Sequence, residues 1–161
     1  MAGVEARLAE LGITLPDVAA PVAAYVPAVR SGDYVHTSGQ LPFVDGALQA
    51  TGKVGVGEGL VSPEDAAGYA RLCALNALAA VRSLLGSLDD VVRVVKVVGF
   101  VASDPGFTGQ PGVINGASNV LGEIFGDAGV HARSAVGVAV LPLDSPVEVE
   151  ILVEVRTQRR D

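Results

Sequence analysis

Between Gly129 and Val155 the chain carries one arginine and no lysine, and that arginine, Arg133, stands at the start of a long apolar run that ends in evenly spaced glutamates. Its neighbours Ala132, Ala135, Val136 and Val138 are apolar. A guanidinium in such surroundings is better satisfied by one planar partner than by scattered water, and a carboxylate offers two coplanar oxygens that match its fork. His131, two positions earlier, has the chemistry of a general base, although a lone histidine is more often a hydrogen-bonded structural residue, and His36 invites the same structural reading. Glu148 and Glu150 alternate with valines, which on its own describes the polar face of a strand. No spacing sets up a Ser-His-Asp arrangement. Cys73 falls on an apolar helical stripe and reads as core. Gly52, Gly55, Gly57 and Gly59 lack both the Gly-Lys-Ser/Thr of a phosphate loop and a flanking strand and helix, so they read as a bulged connection.

The elements that must position these groups follow from local pattern. Val4–Leu11 reads as a short amphipathic helix stopped by Gly12, and Ile13–Val29, punctuated by prolines, as extended chain. "DYVHTSGQLP" has strand period closed by Gly39 and Pro42, and Asp45-Gly46 marks a hairpin. Ser62-Pro63-Glu64-Asp65 combines a serine cap, a proline in the first helical position and acids at the positive end of the helix dipole. Ala66, Ala70, Cys73, Ala74, Ala77, Leu78, Val81, Leu84 and Leu85 then repeat at three- and four-residue steps up to Gly86. Val91–Ser103 is β-branched and predicts a long strand; "VINGASNVLGEIFG" predicts a second helix ending at Gly126. Strands are expected over Ser134–Val140 and Pro146–Val155, the last with Val147, Val149, Ile151, Val153 and Val155 on one face and Glu148, Glu150, Leu152 and Glu154 on the other. The predicted architecture is α+β: one six-stranded mixed sheet with two helices on one face.

Composition bounds the remaining possibilities. The 161 residues suit one domain, 50% of them hydrophobic but few aromatic, so the core is built from Val, Ala and Leu. A single cysteine excludes an internal disulfide and a cysteine zinc cage. The net charge of −7 and a pI near 4.7 argue against a nucleic-acid surface. No apolar run is long enough to cross a bilayer, and Glu5, Arg7 and Glu10 stand where a signal peptide is apolar, so a cytoplasmic location is expected. Residue chemistry alone thus reaches a small α+β domain with an arginine suited to binding a carboxylate.

Four stretches, "YVPAVRSGDYVHTSGQLP", "LDDVVRVVKVVGFVASDPGF", "VINGASNVLGEIFG" and "HARSAVGVAVLPLDSPVEVE", together resemble the RidA family, also called YjgF-like, over Pro21–Val155. The resemblance implies a chorismate-mutase-like α+β fold and a homotrimer with a cleft at each subunit interface. It implies hydrolysis of reactive enamines and imines of the 2-aminoacrylate and 2-iminopropanoate type to 2-oxo acids and ammonia, without metal or organic cofactor. The family's arginine matches Arg133 and its glutamate matches Glu148, as catalytic residues. Tyr25, Ser38, Gly39 and Asn115 match its substrate-binding positions. The chain departs from the usual pattern in its N-terminal extension, residues 1–20 of a single 1–161 domain, in the "NGAS" that follows the asparagine, and in His131, which is expected to line the cleft. Two other functions compete with the hydrolase: a non-catalytic trimeric binder of small carboxylates, and an endoribonuclease, which the acidic charge disfavours.

Overall fold

A computed structural model of the chain describes residues 3–18 and 24–157. The extended reading of Ile13–Val29 therefore runs in part through residues 19–23, which lie outside the described residues. In chain order the elements are α1 (Val4–Glu10), β1 (Ala28–Ser31), β2 (Tyr34–Thr37), β3 (Phe43–Val44), β4 (Ala47–Leu48), α2 (Pro63–Leu85), β5 (Val91–Ala102), α3 (Gln110–Phe125), β6 (Ala132–Val138) and β7 (Val147–Val155). The main sheet has the order β1-β2-β7-β5-β6, with β5 and β6 parallel and the other pairs antiparallel. The fold is α+β with a mixed sheet, as predicted. The main sheet has five strands rather than six, because β3 and β4, the arms of the Asp45-Gly46 hairpin, are two residues each and pair only with one another.

The local signals act as their chemistry requires. Ser62 Oγ accepts from the Asp65 amide at 3.0 Å, Pro63 opens α2, and Gly86 closes it with φ of 87°, a left-handed conformation that suits a residue without Cβ. The α2 stripe Ala66, Ala70, Cys73, Ala74, Ala77, Leu78 and Val81 is buried in one core with Val147, Val149, Ile151 and Val153 of β7, whereas Leu84, expected on the same stripe, is exposed in the last turn of the helix and Leu85 is half-buried. α3 begins three residues before the predicted Val113, since Pro111 fits the first turn of a helix. At Gly116 the two long helices approach so closely that a methyl there would collide with the Ala67 carbonyl.

Cys73 is fully buried, and burial, reinforced by the Glu148 carboxylate, holds its thiol well above the ordinary value. It is a core residue. The N-terminal segment is attached to the body: Leu8 is buried, the Glu5 amide donates to Asp89 Oδ1 at 3.0 Å, and Arg7 Nε donates to the Glu123 carbonyl at 3.0 Å. No helix among the described residues is long and apolar enough to cross a membrane.

Both long helices lie on one face of the sheet. Among the described residues the opposite face has no helix, and the strand register lays out what it carries: Glu148 beside Phe100 with Val136 beyond it, Glu150 beside Val98 with Ser134 beyond it, Leu152 between His36 and Lys96, and Glu154 between Tyr34 and Arg93. His36 stands exposed there, without a side-chain hydrogen bond among the described residues, rather than in the structural role expected of it.

Candidate functional site

Arg133 is the second residue of β6, an edge strand, and its register partner is the fully buried Val97 of β5. Its side chain therefore leaves the sheet on the helix side, where it meets α3. Nη1 donates to Asn115 Oδ1 at 2.8 Å and to Ser118 Oγ at 3.2 Å. Asn115 and Ser118 are three residues apart on the helix and so share a face, which lets both reach one guanidinium nitrogen. Nη1 has two hydrogens, and both are used. Among the described residues Nε and Nη2 have no acceptor and the guanidinium has no carboxylate partner. The anchored edge fixes the fork, and the other edge presents two parallel N–H donors.

His131 joins the same cluster. Its Nδ1 lies 2.5 Å from the Gly129 carbonyl, which can only accept, so Nδ1 carries the proton. In the neutral ring Nε2 then accepts from the Ser118 hydroxyl at 2.9 Å. Ser118 was not a candidate in the sequence reading. The signal that points to it is its i,i+3 spacing from Asn115, which is informative only once Asn115 is known to face Arg133.

Glu148 belongs to a second cluster. It faces away from the helices, paired with Phe100, and its carboxylate rests on Gly39, where any Cβ would collide with it. Gly39 is held there because Gln40 and Val149 exchange both backbone hydrogen bonds, at 2.8 and 3.0 Å, while the Asn76 amide of α2 donates to the carbonyls of Leu41 and Phe43. Ser38 Oγ donates to the Val26 carbonyl at 2.7 Å and so ties the exposed Tyr25 segment to the end of β2. Burial, with the Glu150 carboxylate second, raises the pKa of Glu148 above the ordinary value.

The predicted residues thus fall into two groups: Asn115, His131 and Arg133 on the helix side of β6, and Tyr25, Ser38, Gly39 and Glu148 around the open face and the end of β2. β5 lies between β6 and β7, and the register sets Arg133 level with Ile151, three residues along β7 from Glu148, so Arg133 and Glu148 are two strand spacings across and three residues along, roughly 14 Å apart, and leave the sheet on opposite sides. A cleft of 370 Å³ between α1 and the end of α3, lined by Val4, Arg7, Glu123 and Phe125 among others, includes neither group. Within one chain the two groups do not meet.

Comparison with known proteins gives a consistent result. The family model described as "YjgF/chorismate_mutase-like, putative endoribonuclease" matches residues 5–155. Protein TCP17 of Trypanosoma cruzi is 47% identical over 152 residues, covering 94% of this chain and 93% of its own. The crystal structure of Atu1372 from Agrobacterium tumefaciens superposes with a TM-score of 0.85 at 46% identity, covering 95% of this chain and 92% of that one. RidA from an Antarctic Psychrobacter superposes with a TM-score of 0.59 at 28% identity, covering 86% and 94%.

Proposed function

The chain belongs to the YjgF/chorismate-mutase-like family, which includes RidA, and from that premise we propose that it hydrolyses reactive 2-imino and 2-enamino acids to 2-oxo acids and ammonia. The observation that carries this reading is the half-engaged guanidinium of Arg133. Its Nη1 edge is held by Asn115 and Ser118, and its Nε–Nη2 edge offers the geometry that a carboxylate takes bidentately. A substrate held there has its imine carbon one bond from the captured carboxylate, already electrophilic and in need only of a positioned water and a proton acceptor. The reading needs no metal or organic cofactor.

Glu148 is the acceptor in this reading, and it must come from an adjoining copy. The open face supports such an assembly: Phe100, Val98, Leu152, Val29 and Val136 lie on it with no helix among the described residues to cover them, and Val29 and Val136 are exposed in the single chain. A homotrimer packed through this face would carry the Glu148 cluster of one subunit toward the Arg133 cluster of another, completing a site at each interface. Its ligand is a small carboxylate. The net charge of −7 makes a polyanion a poor competitor, which weighs against the endoribonuclease reading.

The test has two parts. Light scattering at micromolar concentration is expected to give about three times the 16.3 kDa chain mass. Imines generated in place by an amino-acid oxidase are expected to disappear faster with the protein present, and Arg133→Ala is expected to abolish that acceleration. Unchanged imine decay together with calorimetric binding of pyruvate would replace the hydrolase by a carboxylate binder.

A further inference from the structure

In the hydrolase reading Glu148 takes a proton from the attacking water, and how readily it does so depends on what surrounds its carboxylate. Among the described residues Glu148 has no ion pair, so no cation offsets its charge. Burial acts on it first and Glu150, two residues along the same face of β7, second. The other elements around it bring no charge: α2 brings the fully buried Cys73, its thiol held protonated, β5 brings Phe100, and the turn after β2 brings Gly39, on which the carboxylate rests. The strand and the helix are fixed by the core. The turn over residues 38–43 has to be fixed by its own contacts.

It is held at two points. Gln40 exchanges both backbone hydrogen bonds with Val149, which sets the distance of the turn from β7 but leaves it an axis to swing about. Asn76 of α2 supplies the second point: Nδ2 has two hydrogens, and it donates to the Leu41 carbonyl at 2.9 Å and to the Phe43 carbonyl at 3.2 Å. An asparagine inside a helix forgoes the propensity of an alanine, and its neighbours Ala74, Leu75, Ala77 and Leu78 are all aliphatic, so both of its donors serve the turn rather than the helix.

We propose that Asn76 is a positioning residue for Glu148: through the Leu41 and Phe43 carbonyls it holds the turn at Gly39 closed over the carboxylate and keeps water from it. Its part in turnover rests on the hydrolase reading above, whereas its grip on the turn does not. Without Asn76 the turn swings about the Gln40–Val149 pair, water reaches the carboxylate, and the carboxyl loses its proton at lower pH. Glu148 is then the weaker base. Asn76 itself touches neither the substrate nor the reacting atoms.

Asn76→Ala removes both donors. The NMR signal of the Glu148 carboxyl carbon, assigned by its disappearance in Glu148→Gln, is expected to titrate at lower pH in Asn76→Ala than in the parent. The acid limb of kcat for imine hydrolysis is expected to move the same way, and the plateau above it to fall about three- to tenfold. Calorimetric pyruvate affinity is expected to stay within about threefold of the parent, since the Arg133 anchor is untouched. Asn76→Ser, which keeps one shorter donor, is expected to lie between the two. An asparagine that only supports the fold would lower the melting temperature and leave the titration and the acid limb where they are; that result overturns the proposal, as does failure of both variants to fold. If the parent hydrolyses imines and the titration does not move, the positioning role falls and the hydrolase stands. If the parent hydrolyses no imine, the hydrolase reading falls and Asn76 has no part in turnover, while a titration that still moves upholds its grip on Glu148.

Discussion

Asn115 Oδ1 accepts from Arg133 Nη1 at 2.8 Å, across the junction between α3 and the edge strand β6, and so turns the free edge of the guanidinium outward. The contact organises the arginine before any ligand arrives. Asn115→Ala removes one charge-assisted acceptor and leaves Ser118 as the only anchor among the described residues. A loss of about 1–2 kcal/mol is expected, or roughly five- to thirtyfold weaker pyruvate binding by calorimetry, with thermal stability unchanged because Asn115 is exposed. Equal affinity in parent and variant would mean that Arg133 is positioned without it.

Replacing the arginine separates charge from geometry. Arg133→Lys keeps a cation but loses the planar fork, so catalytic efficiency toward imines is expected to fall about tenfold to more than a hundredfold, the equivalent of roughly 1.5–3 kcal/mol. A fully active lysine variant would rule out bidentate capture.

Gly39 tests the second cluster. Its backbone is not in the left-handed region, so alanine suits the chain there, but the added methyl would occupy the place of the Glu148 carboxylate. That carboxylate is the flexible end of a side chain and can move aside. Gly39→Ala is therefore expected to fold with little loss of melting temperature while imine turnover falls in parallel with Glu148→Gln. Unaltered turnover would place Glu148 outside the reaction.

Glu148 also makes stability depend on pH in a definite direction. Burial holds the proton on its carboxyl to a higher pH in the folded chain than in the unfolded one. The stability this contributes is complete below the ordinary value of 4.5 and is lost as pH rises through the raised folded value. Glu148→Gln has no such loss. Its melting temperature relative to the parent is expected to be higher at about pH 7 than at about pH 4, as read by thermal melts at both. A difference independent of pH would show that the carboxylate is not held in its buried setting in solution.

Core and site should separate cleanly in unfolding experiments. Leu78 is fully buried on the α2 stripe, and Leu78→Ala is expected to cost about 2–5 kcal/mol in denaturant unfolding through lost burial and the cavity left behind. Arg133→Ala should leave the midpoint nearly unchanged. An arginine variant that unfolds as readily as the leucine one would make Arg133 a structural residue.

Much of the fold was legible from residue order because its causes are local. Ser62, Pro63 and Gly86 bound α2 through backbone groups within one turn, and the alternation of β7 follows from the two-residue period of any strand. The chemistry of Arg133 was legible for the same reason, since an arginine with apolar neighbours needs a planar partner whatever the fold. Resemblance to a family supplied Tyr25, Ser38, Gly39, Asn115 and Glu148, which have no common period along the chain. Only the tertiary structure could divide them. Strand order places β5 between β6 and β7, and register sends Glu148 to the open face while Arg133 turns toward α3, so the two leave the sheet on opposite sides. The hairpin stands apart from the sheet because its strands are too short to extend the ladder, which depends on pairing partners and not on turn residues. Ser118 entered the site for the same physical reason: a serine inside a helix has no distinctive local signature, and its role exists only where packing sets it between a guanidinium and an imidazole that are distant in sequence.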